Sequence, residues 1–178
     1  MNGKIMIIVI ALSSVIMGGA IYYAQVYAYY YPVEPVAGQD VTLVSQATGQ
    51  PEAIAYEDFQ GIDADSSPIR YRACFTTSAD PAMLRETYVA APDMEPRMAP
   101  GWFDCFDGET IGAGIESGSA VTYLGAKNIA YGVDRIVAIF EDGRGYVWHE
   151  LNDCGAKAYD GTVTGEACPE RPEAGDGG

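Results

Sequence analysis

The chain has 178 residues and is strongly acidic, with 25 Asp and Glu against 10 Lys and Arg and a formal net charge of −15 at pH 7. Such a charge repels phosphate groups, which excludes nucleic acid as a natural partner and disfavours anionic lipid surfaces. Beyond an apolar N-terminal segment, about 135 residues are left for one domain with a core of its own.

Residues 5–27 are predicted to form a single membrane-spanning helix, preceded by a cytoplasmic N-terminus at residues 1–4. The run Ile5–Val26 carries no charged side chain, and its length of about 33 Å is enough to cross a bilayer core. Its far end is crowded with tyrosines, which favour membrane interfaces: Tyr22, Tyr23, Tyr27, Tyr29, Tyr30 and Tyr31. The competing interpretation is a cleaved signal peptide, whose apolar region is normally shorter than this one.

The distribution of cations predicts the orientation of this helix. Lys4 precedes it, and the first cation after it is Arg70. Because positive charge resists translocation, we expect the N-terminus to stay in the cytoplasm and the rest of the chain to be exported. The small residues Ala11, Ser14 and Gly18 lie on one strip that would let a second helix approach, although small residues are also common in spans without this role.

The exported part is predicted to consist of a linker at residues 28–40, a domain at 41–168 and a disordered tail at 169–178. The stretch Pro32–Pro35 favours a stiff, extended chain, because each of its two prolines restricts the backbone. The tail is composed of Pro, Glu, Arg, Ala, Asp and Gly, and it has too little apolar surface to fold.

Several regular elements are predicted in the first half of the domain. Val41–Val44 and the alternating stretch Ile69–Phe75 indicate strands. A short helix is expected from Asp80 to Tyr88, because Asp is a good N-cap and the proline after it suits the first helical position. Three prolines between Ala91 and Gly101 predict a loop there.

The second half is predicted to hold a helical region and a hairpin. Apolar residues at helical spacing indicate one or two short helices in Thr110–Leu124. Ile136–Phe140 and Tyr146–Glu150 flank an Asp-Gly turn and predict a β-hairpin. The expected fold is therefore α+β, with an N-terminal transmembrane helix followed by a small antiparallel sheet that carries short helices on one face.

Four cysteines, Cys74, Cys105, Cys154 and Cys168, follow the predicted membrane helix. An even number in an oxidising compartment predicts two disulfides, and three pairings are open. We favour Cys74 with Cys105, which would tie a strand to the exit of the proline-rich loop. Cys154 with Cys168 would then hold the tail against the end of the hairpin. The absence of a Cys-x-x-Cys motif argues against zinc, redox and haem sites.

Residue patterns for catalysis are weak. The single histidine, His149, lies in a predicted strand beside Trp148, where a packed or surface residue is expected rather than a base with an oriented partner. An enzymatic role would require two carboxylates, such as Asp104 and Asp107, to face each other in a cleft. We therefore predict a protein that is not an enzyme and has no cofactor.

Two binding hypotheses involve the proline-rich loop. Met94, Met98, Cys105 and His149 are candidate soft ligands for Cu(I), and copper is the most specific version of the metal-binding alternative. Two interpretations are open for Met94, Met98, Trp102 and Phe103, which combine apolar bulk with a loop position: they belong either to the core or to a partner-binding patch. The acidity of the domain suits a basic protein surface.

Three stretches resemble an uncharacterised family of small single-span proteins from alphaproteobacteria: Ser67–Phe75, Gly101–Phe106 and Gly132–His149. The likeness extends over nearly the whole chain. It implies an anchor in a Gram-negative inner membrane and a periplasmic domain. It supplies no activity and no catalytic residues.

These observations favour a membrane-anchored periplasmic accessory or assembly protein of a larger membrane complex. Respiratory complexes are candidate hosts, although no residue points to them. The alternative is a periplasmic ligand- or metal-binding domain that acts as a sensor or carrier, with copper as the metal.

Overall fold

A computed structural model of the protein describes residues 3–162, 164–165 and 168–169. The remainder of the predicted disordered tail, 170–178, lies outside these residues. The helices are α1 (Gly3–Tyr23), α2 (Pro81–Thr87) and α3 (Gly108–Ser117), and a π-helical turn (Ala24–Ala28) extends α1. The strands are β1 (Tyr31–Val33), β2 (Thr42–Val44), β3 (Pro51–Ala53), β4 (Glu57–Asp63), β5 (Arg72–Thr76), β6 (Ala120–Ala130), β7 (Val133–Phe140) and β8 (Arg144–Leu151).

The predicted N-terminal apolar helix is confirmed. The helical segment Gly3–Ala28 is 26 residues long, and its length and composition allow it to cross a membrane. None of the residues of α1 is buried by the rest of the protein. An uncovered apolar helix of this length is typical of membrane spans, and signal sequences share the same character.

Six strands form one antiparallel sheet in the order β1-β4-β5-β8-β7-β6. The strands β6, β7 and β8 form a meander, and β8 then pairs with β5 of the β4–β5 hairpin. A separate antiparallel pair, β2–β3, covers part of the sheet. The α+β fold class is therefore confirmed.

Both faces of the sheet are covered, because alternate residues of its central strands enter two separate cores. The Trp148 face includes Ile136, Phe140 and Trp148, with Ile111 of α3 packed on it. The Val147 face includes Val147 and other alternating residues, with Leu84 of α2 packed there. The prediction that the helices share one face is thus wrong in this detail.

The strand predicted at Ile69–Phe75 begins only at Arg72 and is buried on both sides.

The helical region predicted over Thr110–Leu124 is only partly correct. The helix α3 ends at Ser117, because Gly118 adopts a left-handed backbone with φ of 76° as its C-cap. The following residues form β6, whose pairing with β7 includes Val121 opposite Ile139 and Leu124 opposite Ile136. Apolar residues in this strand alternate between the two cores, and their spacing also fits a helix, which is why the pattern misled.

The predicted β7–β8 hairpin is confirmed, and both strands extend beyond the predicted limits. Its turn contains Gly143 with φ of 88°, the positive value that a three-residue hairpin loop requires.

The helix predicted from Asp80 is confirmed as well. The Asp80 carboxylate accepts the Ala82 N–H at 2.7 Å and caps α2.

The stretch predicted as an extended linker contributes to the sheet. Tyr31–Val33 forms β1, a three-residue edge strand that pairs with β4. Pro32 is compatible with this position because an edge strand has one side without ladder hydrogen bonds. The first strand of the sheet therefore begins at Tyr31, two residues after Tyr29, which is the C-cap of the π-helical turn.

We expect Gly132→Ala to lower the free energy of unfolding by about 2–5 kcal/mol, because it combines left-handed strain with overpacking. Gly132 has φ of 74°, and an added Cβ would overlap the backbone of Gly155. Gly118→Ala is the matched control, with φ of 76° and open space around the Cβ. Its loss should be only about 1–2 kcal/mol. Urea unfolding of the full chain in mild detergent measures both, and equal losses would contradict the steric argument.

Candidate functional site

The four residues of the predicted partner patch do not form one surface. Met98 is 75% exposed and Trp102 is 37% exposed, whereas Phe103 belongs to the core of the Trp148 face. Met94 is partly buried against that same core. The patch therefore separates into an exposed pair and an inner pair.

Met94 forms part of the wall of several grooves beside the proline-rich loop. One groove, of about 590 Å³, lies between this loop, α3 and β6 and includes Ile115 and Glu116. A second, of about 500 Å³, lies between the loop and the end of β8. We call the first of these the Met94 groove. Its wall combines an adaptable thioether and apolar side chains with the carboxylates of Asp93, Glu95 and Glu116.

The proline-rich loop is fixed to the sheet by arginines. Arg97 makes a two-point ion pair with Glu150 of β8, including an Nε–Oε2 bond of 2.7 Å. Arg72, which is buried, donates to the Met98 carbonyl at 3.2 Å and to the Ile69 carbonyl at 2.9 Å. Burial lowers the pKa of Arg72 to about 10. These bonds hold a loop that has no regular structure of its own.

The α+β domain also contacts the end of the N-terminal helix. The Trp102 indole N–H donates to the Val26 carbonyl at 2.6 Å, and the ring stacks on Tyr27. Arg70 donates to the Gln25 carbonyl at 3.4 Å and lies over the Tyr30 ring. The last carbonyls of a helix have no partner within the helix, so these side chains cap it. We call this contact the helix–domain junction.

His149 is buried beside Tyr71 of the Val147 face, so of the two positions expected for it, packed or on the surface, the structure has the packed one. Its ring stacks on Tyr71, with centroids 4.5 Å apart. Arg135 Nε donates to His149 Nε2 at 3.3 Å, so Nδ1 carries the proton and donates to the Pro68 carbonyl at 2.8 Å. Burial, together with repulsion from Arg135 and Arg72, lowers the pKa of His149 to about 3. Both ring nitrogens are thus occupied by protein groups.

The two carboxylates considered for an enzymatic role border a cavity of about 280 Å³. Asp107 caps α3, and its carboxylate accepts the Glu109 N–H at 3.0 Å and the Thr110 hydroxyl at 2.7 Å. These bonds lower the pKa of Asp107. Asp104 is exposed. The arrangement keeps Asp107 ionised, whereas a general acid of a carboxylate pair needs a raised pKa.

The soft donors considered for copper are not all brought together, because Met94 and Met98 line one groove without His149 or a free Cys105 thiol. Met94 packs on the Trp148 face and His149 lies on the opposite face of the sheet. The Cys105 sulfur is bonded to Cys74. In the part of the chain that the structure describes, no three His, Cys, Asp or Glu side chains form a metal-binding group.

The cysteines pair as Cys74–Cys105 and Cys154–Cys168, which is the connectivity that we favoured. The first bond joins β5 to the exit of the proline-rich loop.

The strip Ala11, Ser14 and Gly18 is exposed on α1. A Cβ added at Gly18 would meet no atom within 4 Å, and Ser14 donates only to the Ile10 carbonyl of its own helix.

Four contacts were not predicted from the sequence: the helix–domain junction, the Arg97–Glu150 pair, the Arg135–His149 pair and the Arg72 bond to the Met98 carbonyl. The burial of Arg72 could have been predicted in part from the sequence. Arg72 lies two residues before Cys74 in the same strand, so both side chains point to the same face of the sheet and into a core. No local pattern connects Trp102 with Val26, because 76 residues separate them in the sequence.

The structure defines a class of protein in which an apolar N-terminal helix joins a disulfide-linked α+β domain. The chain belongs to DUF6446, a family of unknown function, whose model matches residues 41–169. This match confirms the resemblance to an uncharacterised family. No curated protein and no solved structure matches the chain.

Proposed function

We propose that this protein is a non-enzymatic accessory or assembly subunit of a larger complex in a bacterial inner membrane. Residues 1–4 lie in the cytoplasm, α1 spans the membrane and the domain lies in the periplasm. The observation that carries the proposal is the helix–domain junction, in which Trp102 and Arg70 bond to the last turn of the helix. These bonds favour a retained anchor, because cleavage beyond Val26 would remove both acceptor carbonyls.

The partner is proposed to be a protein that binds at the Met94 groove. The groove is apolar at Met94 and Ile115 and has acidic residues along its border. Such a surface suits a segment with an apolar anchor and basic flanks. The Ala11, Ser14 and Gly18 strip offers a second contact to a partner helix in the membrane. The two disulfides suit an oxidising periplasm.

We expect Glu116→Lys to weaken partner binding roughly tenfold, because it reverses a charge at the Met94 groove. Glu116 is exposed near the end of α3, so the substitution should not disturb the core. Glu86→Lys is the matched control, since Glu86 is exposed near the end of α2, whose Leu84 packs on the opposite face of the sheet.

Affinity purification of the full chain from native membranes in mild detergent, followed by mass spectrometry, measures this. A stoichiometric membrane partner that is lost with Glu116→Lys and kept with Glu86→Lys supports the proposal. Recovery of the protein alone, or equal recovery of a partner with both variants, argues against it.

A small ligand in the Met94 groove is the second candidate, because about 590 Å³ falls within the usual range for ligand sites. An anaerobic Cu(I) titration tests the metal form of this alternative. Binding that is abolished by Met94→Ala but unchanged by His149→Gln would place copper at the groove. Absence of Cu(I) binding would contradict the hypothesis that the protein binds copper.

A further inference from the structure

We infer that the loop Met98–Trp102 is a second membrane contact, which lies in the headgroup layer where α1 ends and binds zwitterionic phospholipid. We call it the interfacial loop. The inference rests on the proposed membrane anchoring, and it proposes that the exposed pair, Met98 and Trp102, binds lipid. The protein partner is still proposed to bind at the Met94 groove.

The depth of the loop follows from the junction. The helical segment Gly3–Ala28 has 26 residues and is about 39 Å long, which exceeds a hydrocarbon core of about 30 Å and places its end among the headgroups. Trp102 donates to the carbonyl of Val26, within the last turn, and stacks on Tyr27. A side chain bonded to that turn shares its depth. Tryptophan favours this layer because one part of its ring system is apolar and its N–H is polar.

The exposed surface of the loop matches this environment. Its sequence, Met-Ala-Pro-Gly-Trp, carries no charged side chain. Met98 is 75% exposed and Trp102 is 37% exposed, while the next residue, Phe103, is buried in the core. Bonds from Arg72 to the Met98 carbonyl and from Trp102 to Val26 hold both ends of the loop. The apolar side chains are therefore presented by a fixed backbone.

Charge selects the lipid class. Arg70 bonds to the Gln25 carbonyl and lies over Tyr30, so a cation is held at the same level as the loop. A guanidinium suits the phosphate of a lipid headgroup. The whole chain carries a net charge of −15, which would repel a leaflet with net negative charge. Zwitterionic lipid offers the phosphate without that repulsion.

The two tryptophans of the chain allow a direct test, because Trp148 is fully buried and Trp102 is not. The full chain is reconstituted in phosphatidylcholine vesicles whose acyl chains are brominated near the headgroup. Bromine quenches tryptophan at short range, so we expect the wild type to be quenched. In Trp102→Phe, which retains only Trp148, quenching should fall roughly twofold or more if Trp102 lies at the interface.

A second pair of variants controls for insertion. Met98→Asp should reduce the quenching of Trp102, because a carboxylate resists the bilayer interface. Met83→Asp should leave it unchanged, since Met83 is exposed on α2. Vesicle flotation of every variant separates the two proposals. A wild-type chain that does not float contradicts the membrane anchor itself. A chain that floats, with equal quenching in wild type and Trp102→Phe, overturns the interfacial loop alone.

Discussion

Replacing both Cys74 and Cys105 with serine is expected to lower the free energy of unfolding by about 3–4 kcal/mol. The disulfide closes a loop with a sequence separation of 31, and the entropy of that loop in the unfolded chain rises when the bond is removed. Cys74 is also buried beside Phe103 and Phe106, so serine would place a hydroxyl in the core of the Trp148 face.

Urea unfolding of the full chain in mild detergent, followed by tryptophan fluorescence, measures this loss. The double variant Cys154→Ser with Cys168→Ser is the control, because its loop has a separation of only 14. We expect a smaller loss for the control. A loss for the Cys74 and Cys105 variant below that of the control would contradict the prediction.

Acidification from pH 6.5 towards pH 3 is expected to destabilise the protein through His149, by about 1.4 kcal/mol for each pH unit. In the unfolded chain His149 takes up a proton near pH 6.5, whereas burial and Arg135 lower its pKa to about 3 in the folded protein. The unfolded state therefore binds more protons in this window. Stability rises with pH until about pH 6.5, and the His149 contribution is constant above it.

The variant His149→Gln isolates this contribution. An amide can donate to the Pro68 carbonyl and accept from Arg135, as neutral histidine does, but it does not titrate. Carboxylates titrate in both proteins, so the difference between the two stability curves reports His149 alone. We expect the free energy of unfolding of the variant to rise relative to that of the wild type as the pH falls. Parallel curves would show that His149 is not buried and neutral.

Local signals were sufficient where one short segment determines the structure. The apolar run of α1, the Asp-Pro start of α2 and the Asp-Gly turn of the β7–β8 hairpin were all predicted correctly. The disulfide pairing followed from where the strand and loop cysteines stand in the chain. Leu124 was assigned to a helix because its spacing from Val121 fits one face of a helix, whereas in β6 the two side chains enter opposite cores.

The sequence by itself determined the apolar helix, the acidity, the even number of cysteines and the α+β class, because each depends on composition or on short-range pattern. Tertiary structure alone decided the strand order, the burial of both sheet faces and the contacts of Trp102. The junction between Trp102 and Val26 joins residues far apart in the chain. They are brought together by long-range contacts that include the β1–β4 pairing, the Cys74–Cys105 disulfide and the Arg72 bond to the Met98 carbonyl. Long-range contacts of this kind depend on the geometry of the whole fold, which local preferences do not encode.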